Sequence, residues 1–158
     1  MDLLRLNWDV TVAYCEELAA KLGRYRPEFI VGISRGGLVP ARILSDILDV
    51  KRVGVLGVSF YKAIGRPDKA PLISQELTMD LKGKRVLVVD DIADSGRSLA
   101  VAKEYILKRG AKEARTATIH YKPGSAPKPD YFVVTTTAWV VYPWEQHEME
   151  RELEKKRK

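Results

Sequence analysis

Cysteine occurs once in the 158 residues, at Cys15. That excludes an internal disulfide framework and points to a reducing, cytoplasmic setting. Cys15 lies among Val12, Leu18, Ala19 and Leu22 at helical spacing, where a small core residue is expected rather than a nucleophile. Histidine occurs only at His120 and His147, without the spacing or neighbours of a metal-ligand set, so both read as structural or solvated. No apolar run is long enough to span a bilayer, and no membrane partner is expected. Residues 1–7 carry Asp2 and Arg5 and lack the pattern of a secretion signal. Asparagine (Asn7) and glutamine (Gln75, Gln146) are scarce while Lys, Arg and Glu abound, a bias shared with heat-adapted proteins. Internal repeats and linkers are also lacking. With 46% hydrophobic residues, the length sets one domain over residues 1–158 with room for a sizeable core.

The net charge is +6, which admits either nucleic acid or small polyanions as partners. The basic residues are scattered except at Lys155, Lys156, Arg157 and Lys158. That run follows an acidic, helical-looking stretch from Glu148 to Glu154 and reads as a solvated, frayed terminal helix.

Asn7 can cap a helix running to about Lys21, which Gly23 closes. Strands are expected at Phe29–Ile33, Val53–Phe60, Val86–Val89, Ala114–His120, Tyr131–Thr135 and Trp139–Tyr142. Helices are expected at Leu38–Leu48 and Gly96–Lys108. Residues 61–78 are polar, basic and punctuated by Pro and Gly, and read as a long mobile loop. Loops of that length are usually functional. It carries Tyr61, Lys62, Arg66 and Lys69, which could close over an anion and exclude water. The alternation of strand and helix defines an α/β fold with a mostly parallel, twisted sheet flanked by helices.

Residues 86–98 read VLVVDDIADSGRS. The apolar run suits a strand buried on both faces. Asp90 and Asp91 follow at its carboxyl end, where open α/β sheets bind ligands. Ser95, Gly96, Arg97 and Ser98 make a tight turn into a helix N-terminus, whose free N–H groups and dipole suit a phosphate. Acids for hydroxyls or a metal thus stand beside a phosphate cradle, and a sugar phosphate fits both. A second loop, Ser34-Arg35-Gly36-Gly37, also joins a strand to a helix. Its consecutive N–H groups make an anion nest, and Arg35 adds a planar fork suited to phosphate oxygens.

The string from 86 to 98 resembles the phosphoribosyl-diphosphate signature of type I phosphoribosyltransferases: a strand, two acids, a spacer, then a Thr/Ser-Gly-x-Thr/Ser loop. The likeness extends from roughly Leu6 to Glu145 and is similar to the xanthine–guanine and hypoxanthine–guanine branch. It is carried by Trp8-Asp9, Ser34–Ala41, Ser59–Tyr61, Lys122-Pro123 and Trp139–Glu145. Serines stand at 95 and 98, where threonine is common, so both hydroxyls are retained.

The resemblance implies a transferase that moves 5-phosphoribosyl from phosphoribosyl diphosphate to N9 of a 6-oxopurine (hypoxanthine, guanine or xanthine), in purine salvage. It implies that Ser34, Arg35 and Gly36 bind pyrophosphate, with a cis peptide between Ser34 and Arg35. Asp90 and Asp91 would bind the ribose hydroxyls and Mg²⁺, directly or through water. Ser95 to Ser98, with Gly96 and Arg97, would hold the 5-phosphate. Asp94 would contact N7, where a carboxylate can take the imidazole proton while N9 attacks. Lys122 can donate to an exocyclic carbonyl but cannot accept from an amino group, which selects 6-oxopurines over adenine. Trp139 offers a flat face to the base. The carbonyls of Val140 and Glu145 would accept from a 2-amino group. The family also implies a small hood from the N-terminal helix and about residues 122–158, and a homodimer or homotetramer. Two other readings stand: a phosphoribosyl-diphosphate-responsive regulator of nucleic acid, disfavoured by the absence of an appended binding domain, and an enzyme for another base, disfavoured by Lys122 and Asp94.

Overall fold

The computed structural model describes residues 2–62, 64, 65 and 69–158. Its centre is a six-stranded sheet. The first half comprises β2 (Phe29–Ser34), β3 (Val53–Lys62) and β4 (Lys69–Gln75), and the second β5 (Arg85–Ala93), β6 (Glu113–Tyr121) and β7 (Tyr131–Thr135). The spatial order is β4-β3-β2-β5-β6-β7, parallel throughout except for the antiparallel β3–β4 hairpin. A second, two-stranded parallel sheet pairs β1 (Leu3–Arg5) with β8 (Trp139–Val141). The helices are α1 (Trp8–Lys21), α2 (Leu38–Ile47), α3 (Arg97–Lys108) and α4 (Gln146–Arg157), the last entered through a 3-10 turn at Pro143–Glu145.

The period-2 alternation of strand side chains divides the core. Val31 and Ile33 of β2, with Val86 and Val88 of β5, face Leu99, Ala102 and Ile106 of α3. Their neighbours Ile30, Leu87 and Val89 face Leu18 of α1, Leu22 just past its end, and Ala41 and Leu44 of α2. The central strands are therefore apolar on both faces, as a parallel sheet covered by helices requires. Helix α1 starts where expected: the Asn7 side chain accepts from the Val10 N–H at 2.8 Å. Cys15 is fully buried, and burial pushes its thiol up to about 12, so it is a core residue.

Three features differ from the sequence reading. Residues 69–75, read within a loop, form β4 and pair antiparallel with β3 from Gly57 to Lys62, with a register shift between Gly57 and Val58. Pro71 is tolerated there because β4 is an edge strand. Arg66 lies outside the described residues. The start of the chain contributes β1, too short to show a pattern of its own, and α1 packs on the main sheet through Leu18 and beside β8 through Cys15. Finally, β5 continues through Asp90 and Asp91 to Ala93.

Strand order reverses between β2 and β5, since β3 lies outside β2 and β6 outside β5. A crevice at the carboxyl ends of those two strands is the expected ligand site of such a sheet.

Candidate active site

Both candidate loops open at that reversal. After β2, Gly37 donates to the Ile33 carbonyl at 2.8 Å, and the Ser34–Arg35 peptide is cis. The turn passes so close to β5 that a Cβ on Gly37 would overlap the Val89 carbonyl, and one on Gly36 would overlap the Asp91 carboxylate. Glycine is required at both positions by space. After β5, Gly96 takes φ +84° and starts α3; the Arg97 N–H donates to Ser95 Oγ at 3.3 Å, and the next first-turn N–H groups are left available to a ligand. Here too space is tight, because a Cβ on Gly96 would strike the Ala126 backbone. The 122–126 segment is laced to this loop: Lys122 N–H donates to the Ala93 carbonyl (3.0 Å) and Ala126 N–H to the Ser95 carbonyl (2.9 Å). The predicted phosphate loop and the predicted base-selecting lysine are thus held as one unit.

Two adjoining cavities result. The larger, about 450 Å³, is lined by Ser34, Arg35, Gly36, Asp90, Asp91 and Ser98, with Trp144, Glu145 and Glu148 at its outer side. The smaller, about 340 Å³, is lined by Asp91, Asp94, Lys122, Trp139, Val140 and Glu145, with Ile92 and Tyr142. Asp91 and Glu145 belong to both. Asp94 and Lys122 stand side by side, Nζ to Oδ2 3.6 Å.

Asp90 and Asp91 are packed together. The Asp90 carboxylate accepts from the Asp91 N–H at 2.9 Å, and the Asp91 carboxylate from the Ile92 N–H at 2.7 Å. Burial raises both carboxyls above their ordinary range, Asp90 the more, with the Asp91 charge adding to it. No group of three or more metal-ligating side chains occurs among the described residues. Two adjacent carboxylates alone suit a hard cation that keeps waters or substrate oxygens as its remaining ligands, which is the habit of Mg²⁺.

Behind the acids lies a buried network that the sequence did not disclose. Tyr142 donates its hydroxyl to the Asp91 carbonyl (3.0 Å) and lies 2.8 Å from His120 Nδ1. With its own proton committed, that hydroxyl accepts from Nδ1–H. His120 is fully buried, and burial lowers its pKa to about 4, so it is neutral at neutral pH. An unfolded histidine titrates near its ordinary value of about 6.5 and binds a proton that the folded one refuses. His120 therefore lowers stability as pH falls from about 6.5 toward 4, by up to roughly 3 kcal/mol. The raised Asp90 and Asp91 act in the opposite sense. His120→Gln should therefore flatten the acid side of a melting-temperature profile relative to wild type. An unchanged profile would remove His120 as its source.

Two further contacts involve predicted residues. Arg35 is paired with Glu148 of α4 at 3.0 Å, although Glu148 lies in the stretch read as merely solvated. The Arg97 guanidinium donates to the Lys69 carbonyl at 2.5 Å and lies over the Phe60 ring at 5.2 Å. Its side chain thereby ties the β3–β4 hairpin to the start of α3 and lines neither cavity. The Glu145 carboxylate accepts from the Tyr142 N–H, which fixes the turn into α4. His147 is exposed beside Glu150.

A mostly parallel sheet covered by helices, with paired acids and two strand-to-helix turns at its strand reversal, defines an α/β protein with its candidate site at the switch point. The chain belongs to the phosphoribosyl transferase domain family, which matches residues 7–149. The solved purine phosphoribosyltransferase from Pyrococcus horikoshii is 42% identical, with a TM-score of 0.85 over 92% of this chain and 95% of that one. Xanthine-guanine phosphoribosyltransferases from Ruegeria sp. and Cereibacter sphaeroides are 30% and 29% identical, each across 89% of this chain and 84% and 85% of their own. No helix among the described residues is long and apolar enough to cross a membrane.

Proposed function

We propose that the protein transfers 5-phosphoribosyl from phosphoribosyl diphosphate to N9 of a 6-oxopurine, giving the nucleoside monophosphate and pyrophosphate. The observation that carries this is the juxtaposition of Asp94 and Lys122 in one cavity with Trp139, with Asp91 shared between that cavity and the one lined by Ser34–Gly36. N7 and the 6-carbonyl are neighbouring atoms on one edge of a hypoxanthine ring. They ask for a proton acceptor beside a proton donor, and the two side chains supply that pair. The relatives' names agree with this reading.

In this mechanism Ser95, Gly96, Arg97 and Ser98 hold the 5-phosphate through first-turn amides and hydroxyls. Asp90 and Asp91 accept from the ribose hydroxyls. Ser34, Arg35 and Gly36 hold the departing pyrophosphate, so Arg35 must exchange Glu148 for it. Lys122 orients the 6-carbonyl, Trp139 stacks on the ring, and the carbonyls of Val140 and Glu145 accept from a 2-amino group. As N9 attacks C1, Asp94 takes the N7 proton. A Mg²⁺ ion held by Asp90 and Asp91 would supply positive charge to the diphosphate. The remaining acceleration comes from fixing the two substrates at the cavity junction and screening the cationic ribosyl centre with carboxylates.

Pyrophosphate release with phosphoribosyl diphosphate, Mg²⁺ and each of hypoxanthine, guanine, xanthine, adenine and uracil tests the reading. Turnover is expected with a 6-oxopurine, and none with any of the three would refute it. Lys122→Ala removes one charge-assisted hydrogen bond. It should cost roughly 10- to 100-fold in kcat/KM for hypoxanthine. An unaltered preference for hypoxanthine over adenine would show that Lys122 does not select the base.

A further inference from the structure

A third cavity, about 470 Å³, is lined by Arg24, Arg26, Arg85, Arg115, Tyr25 and Leu22. It lies at the other end of the sheet from the reaction site. Arg85 begins β5, whose far end carries Asp91, and six residues of strand put the two roughly 20 Å apart. Nothing in the proposed reaction uses it.

We infer that this cavity is a second anion site, for a small polyphosphate carrying at least two phosphoryl groups. Four guanidinium groups line it and no carboxylate does. Glu28 and Glu113 pair with Arg85 and Arg115 but stand outside the lining, and two carboxylates leave two of the four charges unmatched. Like charges gathered in one concavity oppose folding unless an anion answers them, and planar guanidinium forks match phosphoryl oxygens.

Three of the four arginines are also held in place before any ligand arrives. Arg85 Nε donates to the Arg26 carbonyl at 2.8 Å. Arg26 donates to the Gly23 carbonyl at 2.6 Å. Arg115 donates to Tyr131 Oη at 2.6 Å and to Glu113, and lies 4.3 Å over the Tyr25 ring. Arg24 is exposed and has no hydrogen-bond or ion-pair partner among the described residues, so its fork is uncommitted. Such preorganisation lowers the ordering cost of binding.

A small anion is favoured over nucleic acid by the aromatic content. The one aromatic lining residue, Tyr25, has Arg115 against its ring and stacks on Tyr131 (6.3 Å, 22°), while its hydroxyl is bound to the Val86 carbonyl. No free platform is left for a base, which single-stranded nucleic acid binding uses.

Inorganic tripolyphosphate is the probe, titrated calorimetrically into the full chain. Because the reaction site also attracts polyphosphates, Arg35→Ala serves as its control. Two classes of site are expected for wild type. Arg24→Glu should weaken one of them about tenfold or more, the worth of a charge-assisted bond, while purine transferase activity is unchanged. Arg35→Ala should weaken the other. Arg24→Lys should restore most of the lost binding, which separates charge from any fold defect. Arginine Nε–Hε NMR signals of Arg85 and Arg115 should shift on titration and return in high salt. An isotherm unaltered by Arg24→Glu overturns the inference, as does loss of all binding in Arg35→Ala. So does tighter binding of a single-stranded RNA than of tripolyphosphate through the same arginines.

Discussion

Asp94→Asn is expected to lower kcat by about two to four orders of magnitude, the usual worth of a positioned general base. The KM for phosphoribosyl diphosphate should stay within a few-fold. The asymmetry follows from position. Asp94 lines the cavity with Lys122 and Trp139 and not the one bounded by Ser34–Gly36, so the donor is held without it. Asparagine keeps the size and one acceptor oxygen but cannot take a proton. Steady-state kinetics across pH, with equilibrium binding of the donor measured separately, is the check. An equal loss in turnover and donor binding would make Asp94 a structural residue of the loop instead.

Asp90→Asn should do two opposite things. Donor use should collapse, with kcat/KM down by roughly 10²- to 10⁴-fold, since two charge-assisted contacts to ribose hydroxyls are weakened and metal affinity falls. Stability should rise. Burial and the neighbouring Asp91 charge raise the Asp90 carboxyl, so in the folded protein the ionised form is disfavoured relative to the unfolded chain. For such a group the stabilising protonated form is fully present below the unfolded pKa and is lost as pH rises through the folded one. Neutral pH therefore carries a penalty that asparagine removes, while its side-chain oxygen can still accept from the Asp91 N–H. A gain of about 1 kcal/mol corresponds to a melting temperature higher by roughly 2–4 °C at this size. The gain should shrink toward acid pH, where the wild-type carboxyl is itself neutral. A lower melting temperature at pH 7 would show that the acid pair is not strained by its own charge.

The placement of the loops assigned to the donor was legible because it is local. Asp90, Asp91, Ser95 and Ser98 lie on one strand–turn–helix, and Ser34–Gly37 on another, so the chemistry and the backbone that shapes it are contiguous in the sequence. Strands buried on both faces also announced themselves, as at Val86–Val89. What stayed hidden was made by long-range packing. Tyr142 reads as one more aromatic in a β segment until β6 sets His120 beside it and β5 brings up the Asp91 carbonyl. Glu148 belongs to a run of alternating acids on α4, and only the turn at Pro143–Glu145 aims it at Arg35. The β4 strand escaped because its Lys, Pro and Ser residues suit a solvent-facing edge as well as they suit a loop. Arg97 sits where the phosphate loop varies. Its cross-strand engagement with Lys69 and Phe60 depends on that hairpin.

The β1–β8 pairing has a kinetic consequence. Leu3 is the register partner of Trp139 and Leu4 of Val140, so the cavity wall formed by Trp139 and Val140 is backed by a strand from the opposite end of the chain. Pairings of that range close the largest loops and pay their entropy late. The β2–β5 register that sets the donor loops spans far fewer residues and can form first. On the proposed reading, a nascent chain would complete the loops assigned to the phosphorylated sugar before the wall assigned to the base, so the segments that choose the nucleotide would be the last to set.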